Sequence, residues 1–397
     1  MSRTCLVTVF GPHNIIGMLA AVEHYGSIKN DSSVPQIITV VHNPGLSDDE
    51  NMECGDTIWE MIKPFGWAQP VVLTNATVKT ITHHALLKGS DRMIEKFRKI
   101  IGCDHVDEVY FCHNLVGKVS DLCLQAYPSA TRITTGEGTG QVYDAGYLTF
   151  LNKNSEKSLR QRVSNIVHSV QKFASRPLPT PLGPETKIVA MLPTDWNGKF
   201  SENKTIIIVP RELVKNILTR CLAGQKDLLE YCRSILNSSN PPRFILILSC
   251  WSAGGFMDLE AEIAMNLEIV HAHIPKGSTI IIKPHPFSKS PLTQGVLNRI
   301  KNEYDVRVVP DEFKRYPLEL IQPLCESCEI IAFSTIVLSL DFLFGKKVIN
   351  PMNEELMKKF IDSRMRYSIE DSWQWLTGSV ENLPAWNGKS LLWSGKK

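Results

Sequence analysis

The chain has 397 residues, 43% of them hydrophobic and 21% charged, with 43 basic residues set against 41 acidic ones. That length predicts two or three domains, and the composition is that of an ordinary soluble globular protein. The near balance of charge, without a basic tail, excludes a nucleic-acid polymer as an implied partner.

The first half alternates strands and helices. Residues 4–10 read as a buried strand, and residues 13–25 follow as a helix with Ile15, Ile16, Leu19 and Val22 on one face. A strand at 36–41 comes next. Ser47-Asp48-Asp49-Glu50 is a capping box, so its acidic run marks the start of a helix through Met61 rather than a metal site. Strands at 70–73, 108–112 and 131–135 are separated by helices near 81–101 and 115–126. This alternation predicts a parallel sheet covered on both faces. Residues 154–174 read as a polar amphipathic helix, and 176–184 as a proline-rich connection. Strands at 187–192 and 205–209 extend the first sheet. After a break at 238–242, strands at 244–248, 279–282, 306–309, 330–333 and 348–350 make a second doubly wound sheet. Its helices fall near 258–270, 289–302, 317–325 and 336–343. The tail from Glu354 to about Trp375 reads as helical and is expected to cross back to the first domain. The expected domains are therefore 1–240, 241–355 and a tail of 356–397.

The 10 cysteines are scattered, mostly in apolar segments, and read as small core residues in a reducing compartment. Cys325-Glu326-Ser327-Cys328 has no second pair at zinc spacing. No stretch has the length and apolarity of a signal sequence or membrane span, so cytoplasmic residence is expected. The stretch from Lys358 to Arg366 reads as a solvated helix face, with weak peripheral membrane contact as its alternative.

The strongest chemical signal is Lys283-Pro284-His285-Pro286, which closes the strand ending at Ile282. Prolines on both sides fix φ and remove two N–H donors, holding the ring on a stiff turn. His285 is either aimed at an anionic ligand or hydrogen-bonded to backbone at a strand end. Phe333-Ser334-Thr335 ends another apolar strand and precedes a helix. Its hydroxyls suit a phosphate at a helix N-terminus, and simple capping by Ser334 is compatible with that role. Glu319, after Pro317-Leu318, is a first-turn acid or an acceptor for a ribose diol. In Ser249-Cys250-Trp251-Ser252-Ala253-Gly254-Gly255 the glycines permit close backbone approach to a nucleotide, and Trp251 stacks on a base or seals the domain. Gly136-Glu137-Gly138 follows the strand at 131–135, and Glu137 is either a general base or a solvated residue of a Gly-rich loop. Open α/β sheets bind ligands at the carboxyl ends of their strands, where all these motifs lie. There is no D-x-D pair, which favours a metal-independent reaction with a nucleoside monophosphate leaving group.

In this order, Gly136-Glu137-Gly138, His285-Pro286 and Ser334-Thr335 resemble the D/E-D/E-G, H-P and S-S/S-T motifs of bacterial GT-B sialyltransferases. That group includes the capsular polysialyltransferases. Pro317-Leu318-Glu319 matches an element between the second and third motifs, and Gly11-Pro12-His13-Asn14 is similar to the loop after the family's first strand. One position departs. The family's base is generally the first carboxylate of the first motif, where this chain has Gly136, so only Glu137 remains.

The resemblance implies a GT-B fold of two facing Rossmann-like domains. It further implies an inverting enzyme that moves sialic acid from CMP-sialic acid to a glycan or glycoside hydroxyl without a metal. In that scheme Glu137 deprotonates the acceptor and His285 assists the departing phosphate. Ser334 and Thr335 bind that phosphate, Glu319 holds the ribose, and Lys283, Pro286, Gly254 and Gly255 complete the nucleotide site. The alternatives are another GT-B transferase using CMP-Kdo or a UDP- or GDP-sugar, or a non-catalytic nucleotide- or carbohydrate-binding protein of the same fold.

Overall fold

The structure, a computed structural model, describes residues 3–29, 34–88, 90–111, 118–135, 186–192, 205–253, 256–286, 290–334, 336–363, 366, 370, 373–374 and 392–394. The expected helix at 154–174 and the proline-rich connection at 176–184 lie outside these residues, as do Glu137, Gly254, Gly255 and Thr335. The chain divides into two units. One comprises 1–191, 195–213 and 390–397, the other 192–194 and 214–389.

The first unit contains strands β1 (Thr4–Val9), β2 (Gln36–Val41), β3 (Val71–Val72), β4 (Glu108–Phe111), β5 (Thr131–Thr134), β6 (Lys187–Ala190) and β7 (Thr205–Ile208). They form one sheet in the order β7-β6-β5-β4-β1-β2-β3, and every pair among them is parallel. All six residues of β1 are buried, as a central parallel strand covered on both faces requires. Helix α1 (Pro12–Ile28) packs on β1, β4 and β6. Helix α2 (Asp48–Ile62) starts at the expected capping box, with Glu50 N donating to Ser47 Oγ at 3.2 Å and Ser47 N to Glu50 Oε2 at 2.8 Å. The helix expected at 81–101 is two, α3 (Asn75–Lys88) and α4 (Ser90–Ile101). With α5 (Lys118–Ala126), they bury Val78, Ile81, Phe97 and Leu122 against Leu6, Val40, Val109 and Phe111 of the sheet.

The second unit has a sheet of β8 (Arg243–Ile247), β9 (Thr279–Lys283), β10 (Asp305–Val308) and β11 (Glu329–Ile331), ordered β10-β9-β8-β11 and parallel throughout. Ile349 extends it through a parallel bridge to Ile331, at the place of the expected fifth strand. The remaining helices are α6 (Arg211–Ala223), α7 (Lys226–Ser238), α8 (Leu259–His273), α9 (Ser290–Ile300), α10 (Gln322–Ser327), α11 (Ile336–Phe344) and α12 (Glu354–Phe360). The helix expected at 317–325 is a 3-10 turn, Leu318–Ile321, followed by α10 with Pro323 in its first turn. A proline has no N–H to continue the preceding turn, and its fixed φ favours a new start.

The boundary between the units also differs from the expected cut at 240. Helix α7 packs on α10 and on the 3-10 turn, and Tyr316 Oη donates to Gln225 Oε1 at 2.7 Å. Residues 214–240 therefore belong to the second unit. The tail contributes more than helix α12, since β12 (Leu392–Ser394) pairs antiparallel with β7 in the first unit's sheet. Of the basic tail residues, Lys358 is paired with Glu354 at 3.0 Å and Lys359 with Glu268 at 2.5 Å. Among the described residues no helix is long and apolar enough to cross a membrane. The nine described cysteines are all free, and seven of them are buried.

Candidate active site

The second unit gathers its polar groups at one edge. Strand β8 lies between β9 and β11, with Leu246 level with both Ile282 and Ile331. The three loops that follow, at 248–253, 284–286 and 332–334, therefore leave the sheet side by side. This is the carboxyl edge, where open α/β sheets take ligands. The ladder is carried one step further by Leu248 N donating to Lys283 O at 3.0 Å. Across the edge the Trp251 ring meets Phe333 edge-on, with centroids 5.4 Å apart. Trp251 is thus a packing partner of the residue before Ser334.

Glu262 holds the first of these loops. It sits in the opening turn of α8 with no exposed surface. Its two carboxylate oxygens accept the backbone N–H groups of Trp251 at 2.9 Å and Ser252 at 2.8 Å. A buried carboxylate that receives two N–H donors is well compensated. Replacing Glu262 by Gln, which presents an amide N–H to a backbone N–H, is expected to destabilise the fold by about 2 kcal/mol. The variant is also expected to bind nucleotide more weakly, as read by melting temperature and titration. Glu260, which pairs at the surface with Arg299 at 2.7 Å, gives the contrast: its Gln variant should shift stability by less than about 1 kcal/mol. Equal melting of the two variants would show that Glu262 does not hold the loop.

Lys283, the last residue of β9, is 3% exposed, and its ammonium donates to the carbonyl of Lys314. Burial pulls its pKa down to about 7, against the attraction of Glu319. Glu319 moves the opposite way: burial raises its carboxyl, with the Ser339 hydrogen bond and Lys283 opposing. That bond runs from Ser339 Oγ to Glu319 Oε1 at 2.7 Å. Because Ser339 lies on α11, Glu319 fastens the helix that begins just beyond Ser334. Ser334 itself caps that start, with its Oγ accepting from Ile336 N at 3.4 Å and its carbonyl from Val337 N at 3.2 Å.

His285 stands on the turn after β9, half-buried. Burial, with the nearby charge of Lys283, lowers its pKa from 6.5 to about 4. The free protein therefore carries a neutral ring at pH 7, able to donate one N–H.

The structure thus brings Lys283, His285, Pro286, Glu319 and Ser334 to one side of one unit. Three contributors were not singled out from sequence: Glu262, Ser339 and the carbonyl of Lys314. Nothing in the residue pattern separates Glu262 from Glu260, since both are acids in the opening turn of one helix.

Two Rossmann-like units in one chain, with a His-Pro turn and a hydroxyl-capped helix start on the carboxyl edge of the second, place the chain in the GT-B fold class. The chain belongs to the alpha-2,8-polysialyltransferase family, whose model matches residues 118–349, more than half of its length. It is accordingly a sialyltransferase by family. A search of curated proteins gives no significant match. Among solved structures, the chain is similar to the UDP-GlcNAc 2-epimerase of Methanocaldococcus jannaschii, at 14% identity and a TM-score of 0.45, over 98% of this chain and 95% of that one. It is also similar to a sialyltransferase from Photobacterium damsela, at 12% identity and a TM-score of 0.42, over 94% and 79%. At such scores these likenesses add nothing to the sheet order already described.

Proposed function

We propose that the protein is an inverting, metal-independent sialyltransferase that moves sialic acid from CMP-sialic acid to a hydroxyl of a glycan acceptor. The observation that carries this reading is the placement of the His285 turn and the Ser334-capped start of α11 on the ends of the two strands that flank β8, in a chain of the polysialyltransferase family. A helix start offers unpaired N–H groups and a partial positive charge to a phosphate. Ser334 and Thr335 add hydroxyl donors there, and neutral His285 adds a ring N–H. The arriving phosphate raises the basicity of the ring, which takes up a proton from solvent; the imidazolium then gives that proton to the departing CMP phosphate and returns to the neutral form. Such general acid assistance is typically worth 10²–10⁴-fold, about 3–5 kcal/mol.

On the acceptor side Glu137 takes the hydroxyl proton, and attack from the face opposite the nucleotide inverts the anomeric centre. Lys283, with its pKa drawn down to about 7, is only partly charged at neutral pH beneath the turn, and Gly254 and Gly255 are assigned by sequence to the approach of the nucleotide. Glu319 holds α11 through Ser339 in the free protein, so contact with the ribose diol requires that bond to be exchanged.

Purified protein should release CMP from CMP-sialic acid and form a product of inverted configuration, read by NMR of the anomeric centre. Chelator should leave the rate unchanged. CMP at 100 times its dissociation constant should stabilise the protein by about 2.7 kcal/mol, with UDP and GDP giving much less. Stabilisation by UDP or GDP instead, or a strict metal requirement, would sink this reading in favour of another GT-B transferase. Nucleotide binding without turnover would favour a binding protein.

A further inference from the structure

The hydroxyl of Ser339 has a single hydrogen and two acceptors within reach. Ser339 lies on α11 and is 3% exposed. Its Oγ stands 2.7 Å from Glu319 Oε1 and 3.2 Å from the carbonyl oxygen of Ile336, one turn back on the same helix. A serine hydroxyl donates once, so the two bonds are alternatives. The shorter one goes to a carboxyl group that the nearby charge of Lys283 draws toward its ionised form, and hydrogen bonds to charged groups are the stronger kind. That bond therefore prevails in the free protein. Bonding back to a carbonyl of the preceding turn is the usual second choice of a serine inside a helix.

The two choices differ in what they tie together. With the hydrogen on Glu319, the 3-10 turn Leu318–Ile321 is fastened to α11. With the hydrogen on Ile336, Ser339 is satisfied within α11 and the carboxylate is released. Ile336 also donates its N–H to Ser334 Oγ, so this second choice falls in the turn of α11 that follows Ser334. Glu319, unlike Ser339, is partly exposed, and a released carboxylate is open to a ligand. A buried hydroxyl that keeps a partner in both states removes the main penalty on the exchange, because no buried donor is left unsatisfied.

We propose that Ser339 is a positioning residue that sets how strongly the site distinguishes ribose from deoxyribose in its nucleotide. In the free protein it holds Glu319. When a 2′,3′-diol arrives, Glu319 turns to the diol and the Ser339 hydroxyl rotates to Ile336. A bond present only in the free protein opposes binding by its own worth. A sugar without the 2′-hydroxyl offers the carboxylate one donor instead of two, and Glu319 stays on Ser339. Ser339 thus restrains affinity only for nucleotides that carry the diol. This inference rests on the reading of Glu319 as the ribose side of the nucleotide site.

Calorimetric titration of wild type and Ser339→Ala with CMP and with 2′-deoxy-CMP makes the test. Ser339→Ala should bind CMP about tenfold more tightly, equivalent to about 1.4 kcal/mol, and should bind 2′-deoxy-CMP as wild type does. The ratio of the two dissociation constants then rises about tenfold. A merely structural Ser339 would move both nucleotides together. An unchanged ratio, or weaker binding of CMP by the variant, would overturn the proposal. Should Ser339→Ala not fold, Ser339→Cys, whose thiol is a weak donor, is titrated in the same way, and its ratio should rise as well. The two readings fail separately. CMP bound with an unchanged ratio leaves the transfer reading standing and removes Ser339 from sugar recognition. If wild type ignores CMP and binds UMP or GMP, the CMP reading fails, and the ratio is measured with that nucleotide and its 2′-deoxy form. Binding of no nucleotide at all removes both.

Discussion

Replacing His285 by alanine is expected to lower sialyl transfer by about 10³-fold, with CMP binding weakened only modestly and the fold intact. The fold should survive because the ring sits on a turn beyond β9. The ladder at that strand end is backbone to backbone, between Leu248 N and Lys283 O. Initial rates and melting temperature, measured together, check this, and near-normal turnover would remove His285 from the mechanism. A pH signature accompanies the burial of the neutral ring. The folded-state pKa of His285, about 4, lies below its ordinary value of 6.5. A depressed value means that the folded protein disfavours the protonated ring. The stability associated with the neutral ring is therefore fully present above pH 6.5 and lost as pH falls toward 4. His285→Ala should melt with less acid sensitivity across that window while remaining inactive at every pH.

Glu137→Gln is expected to reduce transfer by about 10³-fold or more while leaving the stabilisation by CMP unchanged. The two effects divide because the proposed nucleotide groups are His285, Ser334 and Thr335, whereas Glu137 belongs to the acceptor's proton. Asp144→Asn is the control, as another carboxylate in the same stretch of chain. Should Glu137→Gln transfer well and Asp144→Asn not, the base is Asp144. Together with His285→Ala, this result distinguishes loss of acceptor activation from loss of leaving-group assistance, since donor hydrolysis by Glu137→Gln should persist where that of His285→Ala falls.

Much of the arrangement at the second unit's carboxyl edge was legible in the residues. Lys283-Pro284-His285-Pro286 and Phe333-Ser334-Thr335 each end an apolar run, and a strand end on an open parallel sheet has one side on which to present a polar group. The structure puts these ends on either side of β8, as their order in a doubly wound sheet allows. The division into units was less legible. The proline pair at 241–242 looked like a boundary, yet α7 before it packs on α10 and the 3-10 turn far along the chain. The role of Glu319 also reads differently in three dimensions. From sequence it was a first-turn acid or a ribose acceptor, and in the fold its carboxyl is bound to Ser339 beside Lys283.

By itself the sequence determined the succession of strands and helices, the capping box at Ser47, and which polar residues stand where strands stop. These are short-range properties: apolar periodicity and local hydrogen bonds act within a few residues and do not depend on distant neighbours. Only the tertiary structure decided that Glu262 grips the loop at Trp251, that Lys283 and Glu319 share one buried environment, that β12 returns to the first sheet, and that the buried Asn14 holds the N–H groups of Phe10 and Gly11. Each depends on which groups are removed from water together. Burial of a charge or an amide is tolerable only with partners brought from elsewhere in the chain or from a ligand.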